Sequence, residues 1–76
     1  MDDLDYKIMD IINADGGTYA YRCTEIIRGD RPTTDNRREW NSTYLRVLSH
    51  LRSLNRYGFL DAEKDNNRIM YFLPEN

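Results

Sequence analysis

A single cysteine, Cys23, occurs in the sequence, so an intrachain disulfide and a cluster of thiolate metal ligands are both excluded. A lone cysteine reads first as a small buried apolar residue. A redox-sensing thiol needs cationic neighbours, and only Arg22 is at hand. Histidine is equally scarce: His50 is the only one, and on a helix its neighbour Ser49 projects about 100° away, so the two cannot work as nucleophile and base. One histidine and one cysteine leave any metal site short of nitrogen and sulfur ligands. The carboxylates are dispersed over termini and turns, where capping and solubility account for them. Neither the phosphate-cradling G-x-x-x-x-G-K-[ST] nor G-x-G-x-x-G occurs. These absences lead to the expectation of a non-enzyme with no cofactor and no metal. No apolar run approaches the roughly 20 residues of a membrane span, and no signal-peptide pattern opens the sequence, so a cytoplasmic protein without a membrane partner is expected. There is no internal repeat, low-complexity stretch or linker, and residues 1–76 read as one domain.

What is there suits a soluble globular fold: 39% of residues are hydrophobic and 32% charged, too apolar for disorder and too polar for a membrane chain. A chain of 76 residues lies near the low end of what one core sustains without metal, disulfide or partner, which leaves a homodimer open. The formal charge of −2 hides an uneven distribution. Residues 1–30 carry three basic and seven acidic side chains, net −4; residues 31–60 carry six arginines against Asp35 and Glu39, net +4; the remainder is −2. A polyanion responds to the local field more than to the total.

The basic third centres on residues 43–60, TYLRVLSHLRSLNRYGFL. Tyr44, Val47, Leu48, Leu51 and Leu54 recur at three- and four-residue intervals and share one helical face, which should be buried. The opposite face holds Ser42, Arg46, Ser49, Ser53 and Arg56, short hydroxyls between guanidinium groups, a combination suited to phosphates and base edges. Asn41, Ser42 or Thr43 is expected to cap this helix, and Gly58 to end it. An alternating stretch follows from Phe59 and turns at Asp65-Asn66-Asn67. It returns through residues 68–73, a β-hairpin pattern.

Val47, His50-Leu51, Leu54 and Gly58-Phe59-Leu60 resemble the V-x-x-H-L-x-x-L-x-x-x-G-[LF]-[LIV] run that ends the recognition helix of winged helix-turn-helix regulators, the ArsR and MarR types among them. Tyr71 and Leu73 resemble the Y-x-L of the returning wing strand. The resemblance covers the last half of the chain, and the first half only by element order. It implies an α+β fold, a winged helix-turn-helix of three helices followed by a C-terminal β-hairpin wing, and a function in binding double-stranded DNA, with transcription regulation the expected role.

The other elements fit that order. Leu4, Ile8, Ile11 and Ile12 repeat at helical spacing behind Asp2 and Asp3, which predicts a first helix over about 3–14, ended by the turn formers of residues 13–17. Residues 18–20 are short enough to leave a third strand open. Cys23, Ile26 and Ile27 predict a second helix over about 21–28, stopped by Gly29. A basic insert over 29–41 then separates it from the third helix, expected over about 42–57, where helix-turn-helix units commonly have a turn of three or four residues. That insert is either a long loop or an earlier helix start, with Thr34 as cap and the helix running from Asp35. Its Trp40 either stacks on nucleic acid or packs on the core. The wing is expected over 59–73, with Met70 and Phe72 on an outer face open to a partner chain.

In the DNA reading, Arg46 and Ser49 face base edges, Ser42 and Thr43 lie at the leading end, and Arg37, Arg38, Arg52 and Arg56 hold the backbone. Lys64 and Arg68 at the hairpin tip reach a phosphate or the minor groove. The position of His50 is implied by the resemblance alone, as structural or DNA-touching. The alternative is a winged-helix module that docks a protein partner without binding DNA.

Overall fold

The computed structural model describes residues 1–75. Three helices, α1 (Asp3–Asp15), α2 (Ala20–Arg28) and α3 (Arg37–Arg56), pack with a three-stranded antiparallel sheet of β1 (Thr18–Tyr19), β2 (Asp61–Asp65) and β3 (Arg68–Phe72). The fold is α+β and compatible with a winged-helix layout, with the hairpin β2–β3 as the wing.

α1 begins where the sequence supplies a reciprocal cap. The Asp5 backbone N–H donates to the Asp2 carboxylate and the Asp2 backbone N–H to the Asp5 carboxylate, each at 3.0 Å, which satisfies two of the helix's orphan donors. α1 presents Ile8 and Ile12, both fully buried, to the core. β1 follows at once. It pairs with β3, Thr18 opposite Tyr71 and Tyr19 opposite Met70, so the central strand of the sheet is β3. The stretch 18–20, too short to classify from sequence, thus gives the sheet its third strand.

The third helix departs most from expectation. It starts at Arg37, five positions before the expected 42, and neither Asn41, Ser42 nor Thr43 caps it. The reason lies just upstream: the Thr33 backbone N–H donates to Asn36 Oδ1 at 2.6 Å and the Asn36 backbone N–H to Thr33 Oγ1 at 3.2 Å. This reciprocal pair winds residues 34–36 into a turn that leads into the helix, with Thr33 in the capping role expected of Thr34. The insert therefore divides. Its second half is helix, and its first half, residues 29–36, is a connection organised by Asp30. The Asp30 carboxylate accepts from Arg28 Nε at 2.9 Å and Nη2 at 3.1 Å, and from Asn36 Nδ2 at 3.3 Å, while its carbonyl accepts from Trp40 Nε1 at 3.2 Å.

Trp40 is only 2% exposed. Its indole lies between Tyr21, ring centres 4.8 Å apart, and Tyr44, 6.0 Å apart and nearly parallel. Such offset aromatic contacts add to the area the ring buries. This overturns the reading in which Trp40 stacks on nucleic acid: the ring is spent inside the protein, holding the α2–α3 connection to both helices.

Val47, Leu51 and Leu54 of α3 are buried against Ile8, Ile12, Ala20, Cys23, Leu60 and Tyr71, with Tyr44 and Leu48 at the edge of this core. Each fully buried aliphatic side chain of this kind contributes roughly 1.5–3 kcal/mol relative to exposure. Cys23 sits among them, and burial pushes its thiol up to about 12, which leaves it an inert core residue.

Gly58, at φ 84°, follows the last turn of α3 in the left-handed region, and a Cβ there would meet no neighbour, so conformation and not space demands glycine. The reversal lets the Phe59 N–H donate to the Leu54 carbonyl at 2.9 Å and Asn55 Nδ2 to the Leu60 carbonyl at 2.9 Å. Leu60 is thereby driven into the core, and the strand begins at Asp61 instead of Phe59. The hairpin pairs Asp61 with Phe72 through to Asp65 with Arg68, and Asn66 takes the positive φ of 58° at the turn. Met70 and Phe72 are both half-buried within the chain, so the outer face is less open than its alternation suggests.

Candidate nucleic-acid interface

The buried stripe of α3 fixes what its other side presents. With Trp40, Val47, Leu51 and Leu54 turned inward, the 3.6-residue period turns Arg38, Ser42, Arg46, Ser49, Ser53 and Arg56 outward, and all are exposed. Arg52, two turns beyond Leu45 on the same face, and Arg37, at its margin, are exposed as well. Among the described residues, Arg37, Arg38, Arg46, Arg52 and Arg56 form no ion pair. Of the arginines outside α3, Arg22 on α2 is likewise exposed and without an ion pair among the described residues, whereas Arg28 and Arg31 differ. Arg28 is held by Asp30, whose hydrogen bond raises the guanidinium's pKa and lowers that of the Asp30 carboxyl, burial opposing both. Arg31, from the insert, pairs with Glu25 at 3.1 Å. Arg28 and Arg31 thus pair within the protein, Arg31 at the surface, and five guanidinium groups along one helix have no protein anion among the described residues.

Two expected contact residues stand apart from this face. Thr43 is turned toward α2, where its hydroxyl accepts from Arg28 Nη1 at 3.1 Å and donates to the Glu39 carbonyl at 3.2 Å. His50 is turned toward α1, its Nδ1 2.8 Å from Asp5 Oδ1 and 3.6 Å from Asp2 Oδ1. The helical period puts both on the flank between the buried stripe and the exposed arc, and a polar partner on the neighbouring helix captures each.

The His50 clasp has a pH signature. Partial burial alone would raise the Asp5 carboxyl, but the Asp2 backbone N–H and the His50 ring more than offset it and hold Asp5 below its ordinary 3.8. A carboxylate depressed in the folded state contributes stability that is complete above its unfolded value and lost as pH falls through the lower, folded one. Thermal melting from pH 6 downward should therefore show a steep fall in midpoint below about pH 4 in the native protein. Asp5→Asn should melt lower at pH 6 and change less below pH 4; parallel curves would contradict the assignment. Donor atoms of Asp2, Asp5 and His50 lie within 4.8 Å of one another, a convergence that a count of histidines and cysteines misses. The capping box already engages both carboxylates, and the trio reads as the lock between α1 and α3.

At the wing, Lys64 is exposed. Arg68 lies over the Tyr19 ring, its Cζ 4.0 Å from the ring centre and its Nη2 3.8 Å from Asp65 Oδ2. The Tyr19 hydroxyl donates to Asp65 Oδ2 at 2.7 Å, a bond that raises the phenol's pKa. Asp65, which from sequence opposes a phosphate contact at the hairpin tip, is thus occupied by Tyr19. A groove of about 250 Å³ runs between α3 and the hairpin, with Tyr19, Tyr44, Leu48, Arg52, Arg68 and Ile69 among its walls. Arg52 of the helix and Arg68 of the wing line this one groove, so the two expected cationic regions form a single surface.

Leu45 was assigned to no face from sequence, yet it is 61% exposed in the middle of the arginine and serine arc. The same helical spacing that places Ser42 and Ser49 would have placed it there.

No protein-family model matches the chain, and no curated protein matches it in sequence. Among the described residues no helix is long and apolar enough to cross a membrane.

Proposed function

We propose that this protein binds double-stranded DNA through the exposed face of α3 and acts in the cytoplasm as a non-enzymatic regulator of the winged helix-turn-helix type. The observation that carries the reading is the row of five guanidinium groups, without an ion pair among the described residues and with serines between them, on one side of a 20-residue helix. A helix of that length extends about 30 Å, and its width suits a major groove about 12 Å across. Arg46 and Ser49 are assigned to base edges, with Ser42 at the leading end. Arg37, Arg38, Arg52 and Arg56 are assigned to phosphates, and Lys64 and Arg68 of the wing to the flanking backbone. Thr43 and His50 are released from the contact set, since their side chains hold α2 and α1. The resemblance of residues 47–60 to winged-helix regulators agrees with this reading.

Seven of the thirteen acidic residues lie within the first 30 residues, while Asp61, Glu63 and Asp65 lie on the hairpin and Asp35 and Glu39 at the start of α3. Docking of a protein partner on the outer sheet face is less well supported, because Met70 and Phe72 are half covered within the chain. The test is selection from a random pool of duplex DNA by the purified protein at several salt concentrations. Enrichment of a defined motif, with affinity falling as salt rises, is expected, and a twofold-symmetric motif would add a homodimer. Absence of retention even at low salt would sink the reading.

A further inference from the structure

We infer that Leu45 reads thymine, its side chain packing on the C5 methyl group in the major groove; the inference rests on the DNA-binding reading above. The other large apolar side chains of α3 are engaged within the protein: Trp40, Val47, Leu51 and Leu54 are buried, and Tyr44 and Leu48 are half covered. Leu45 alone is mostly exposed.

Its position distinguishes it from the scattered apolar residues of any protein surface. One turn before it stand Asn41 and Ser42, and one turn after it Ser49, so a leucine occupies the centre of an otherwise polar, cationic strip. It borders two shallow depressions on that strip, one walled by Arg38 and Ser42 and the other by Ser49 and Arg56. It therefore stands as a ridge between two concave surfaces, the first of which also takes in Asp35. A phosphate gains nothing from such a ridge. The charge of the strip selects a polyanion, and the major-groove floor of duplex DNA offers one protruding apolar group, the thymine methyl. Docking the strip in that groove would take the Leu45 side chain and the methyl out of water together, while Arg46 and Ser49, both C-terminal to it and turned to one side of it, meet polar base edges.

The experiment uses the full chain and the duplex selected from the random pool, with each thymine replaced in turn by uracil, which removes only the methyl. At one position the replacement should weaken binding by the native protein about fourfold, the worth of one methyl group taken out of water. Leu45→Ala, at an exposed helical position where alanine is well tolerated, should fold normally. It should bind the thymine duplex about fourfold or more weakly and discriminate thymine from uracil at that position by less than about 1.5-fold. Discrimination that is equal in the two proteins, or absent at every position, would overturn the inference while leaving DNA binding intact. A loss of self-association in Leu45→Ala, with methyl discrimination unchanged, would assign the side chain to a protein contact instead. Failure of the native protein to retain any duplex overturns the underlying reading, and this inference with it.

Discussion

Replacing Trp40 with alanine is expected to cost about 3–5 kcal/mol of folding stability. That is a large share of the roughly 5–15 kcal/mol that holds a small domain together. The side chain is 2% exposed, lies against two tyrosine rings and donates its indole N–H to the Asp30 carbonyl. Truncation would leave a cavity between Tyr21 and Tyr44 and would remove the hydrogen bond that ties Asp30 to α3. Trp40→Phe keeps a ring between Tyr21 and Tyr44 but gives up the hydrogen bond, and should lose about 1 kcal/mol for that bond plus a smaller packing cost. Trp40 is the only tryptophan, so urea unfolding of these variants must be followed by circular dichroism. A change within about 0.5 kcal/mol for the alanine variant, the range of ordinary surface substitutions, would show that the ring does not anchor the connection.

The second large effect is expected at Arg46, and it differs in kind from the effect at Arg38. Arg46 is exposed near the middle of α3, flanked on its face by Ser42 and Ser49 and without an ion pair among the described residues. If its guanidinium reads a base edge, Arg46→Ala should cost about 1–3 kcal/mol on the preferred site and little on unrelated duplexes, so that sequence preference relaxes. Arg38 lies in the first turns of the helix and is assigned to phosphate. Arg38→Ala should weaken every duplex by a similar factor and reduce the slope of log affinity against log salt by about 0.9. Titrations of both variants against preferred and scrambled duplexes separate the roles. Equal losses on all sequences would dissolve the distinction.

Much of the fold was legible because it rests on local rules. The inward stripe of residues 44–54 carries its own period, Gly58 its own conformation, and the two alternating runs around Asn66 and Asn67 their own turn. The start of α3 was not legible. The sequence offers many capping residues between Thr33 and Thr43, and only the side-chain pair of Thr33 and Asn36, braced by Asp30 and Trp40, selects among them. That choice depends on Trp40, which the packing of α3 on α2 brings to the Asp30 carbonyl, as well as on the local pair of Arg28 and Asp30. The candidate site was legible as a face but not at its margins. Ser42, Arg46, Ser49 and Arg56 follow from the period alone, whereas Thr43 and His50 depend on what α2 and α1 place beside them. The residues that carry the winged-helix resemblance are mainly core: Val47, Leu51, Leu54, Leu60 and Tyr71 are buried. They report how the chain packs, and the proposed function rests on the surface residues between them.

The most direct test of the central proposal is chemical-shift mapping of the folded protein during titration with a selected duplex at low salt. The account predicts that perturbed amides and side chains cluster on residues 37–56 at the exposed positions, with Arg46, Ser49 and Leu45 among the largest changes and the wing tip at Lys64 and Arg68 also affected. The acidic outer side of α1 should stay unchanged. Shifts confined to α1 or to the outer face of the sheet, or none at all, would contradict it.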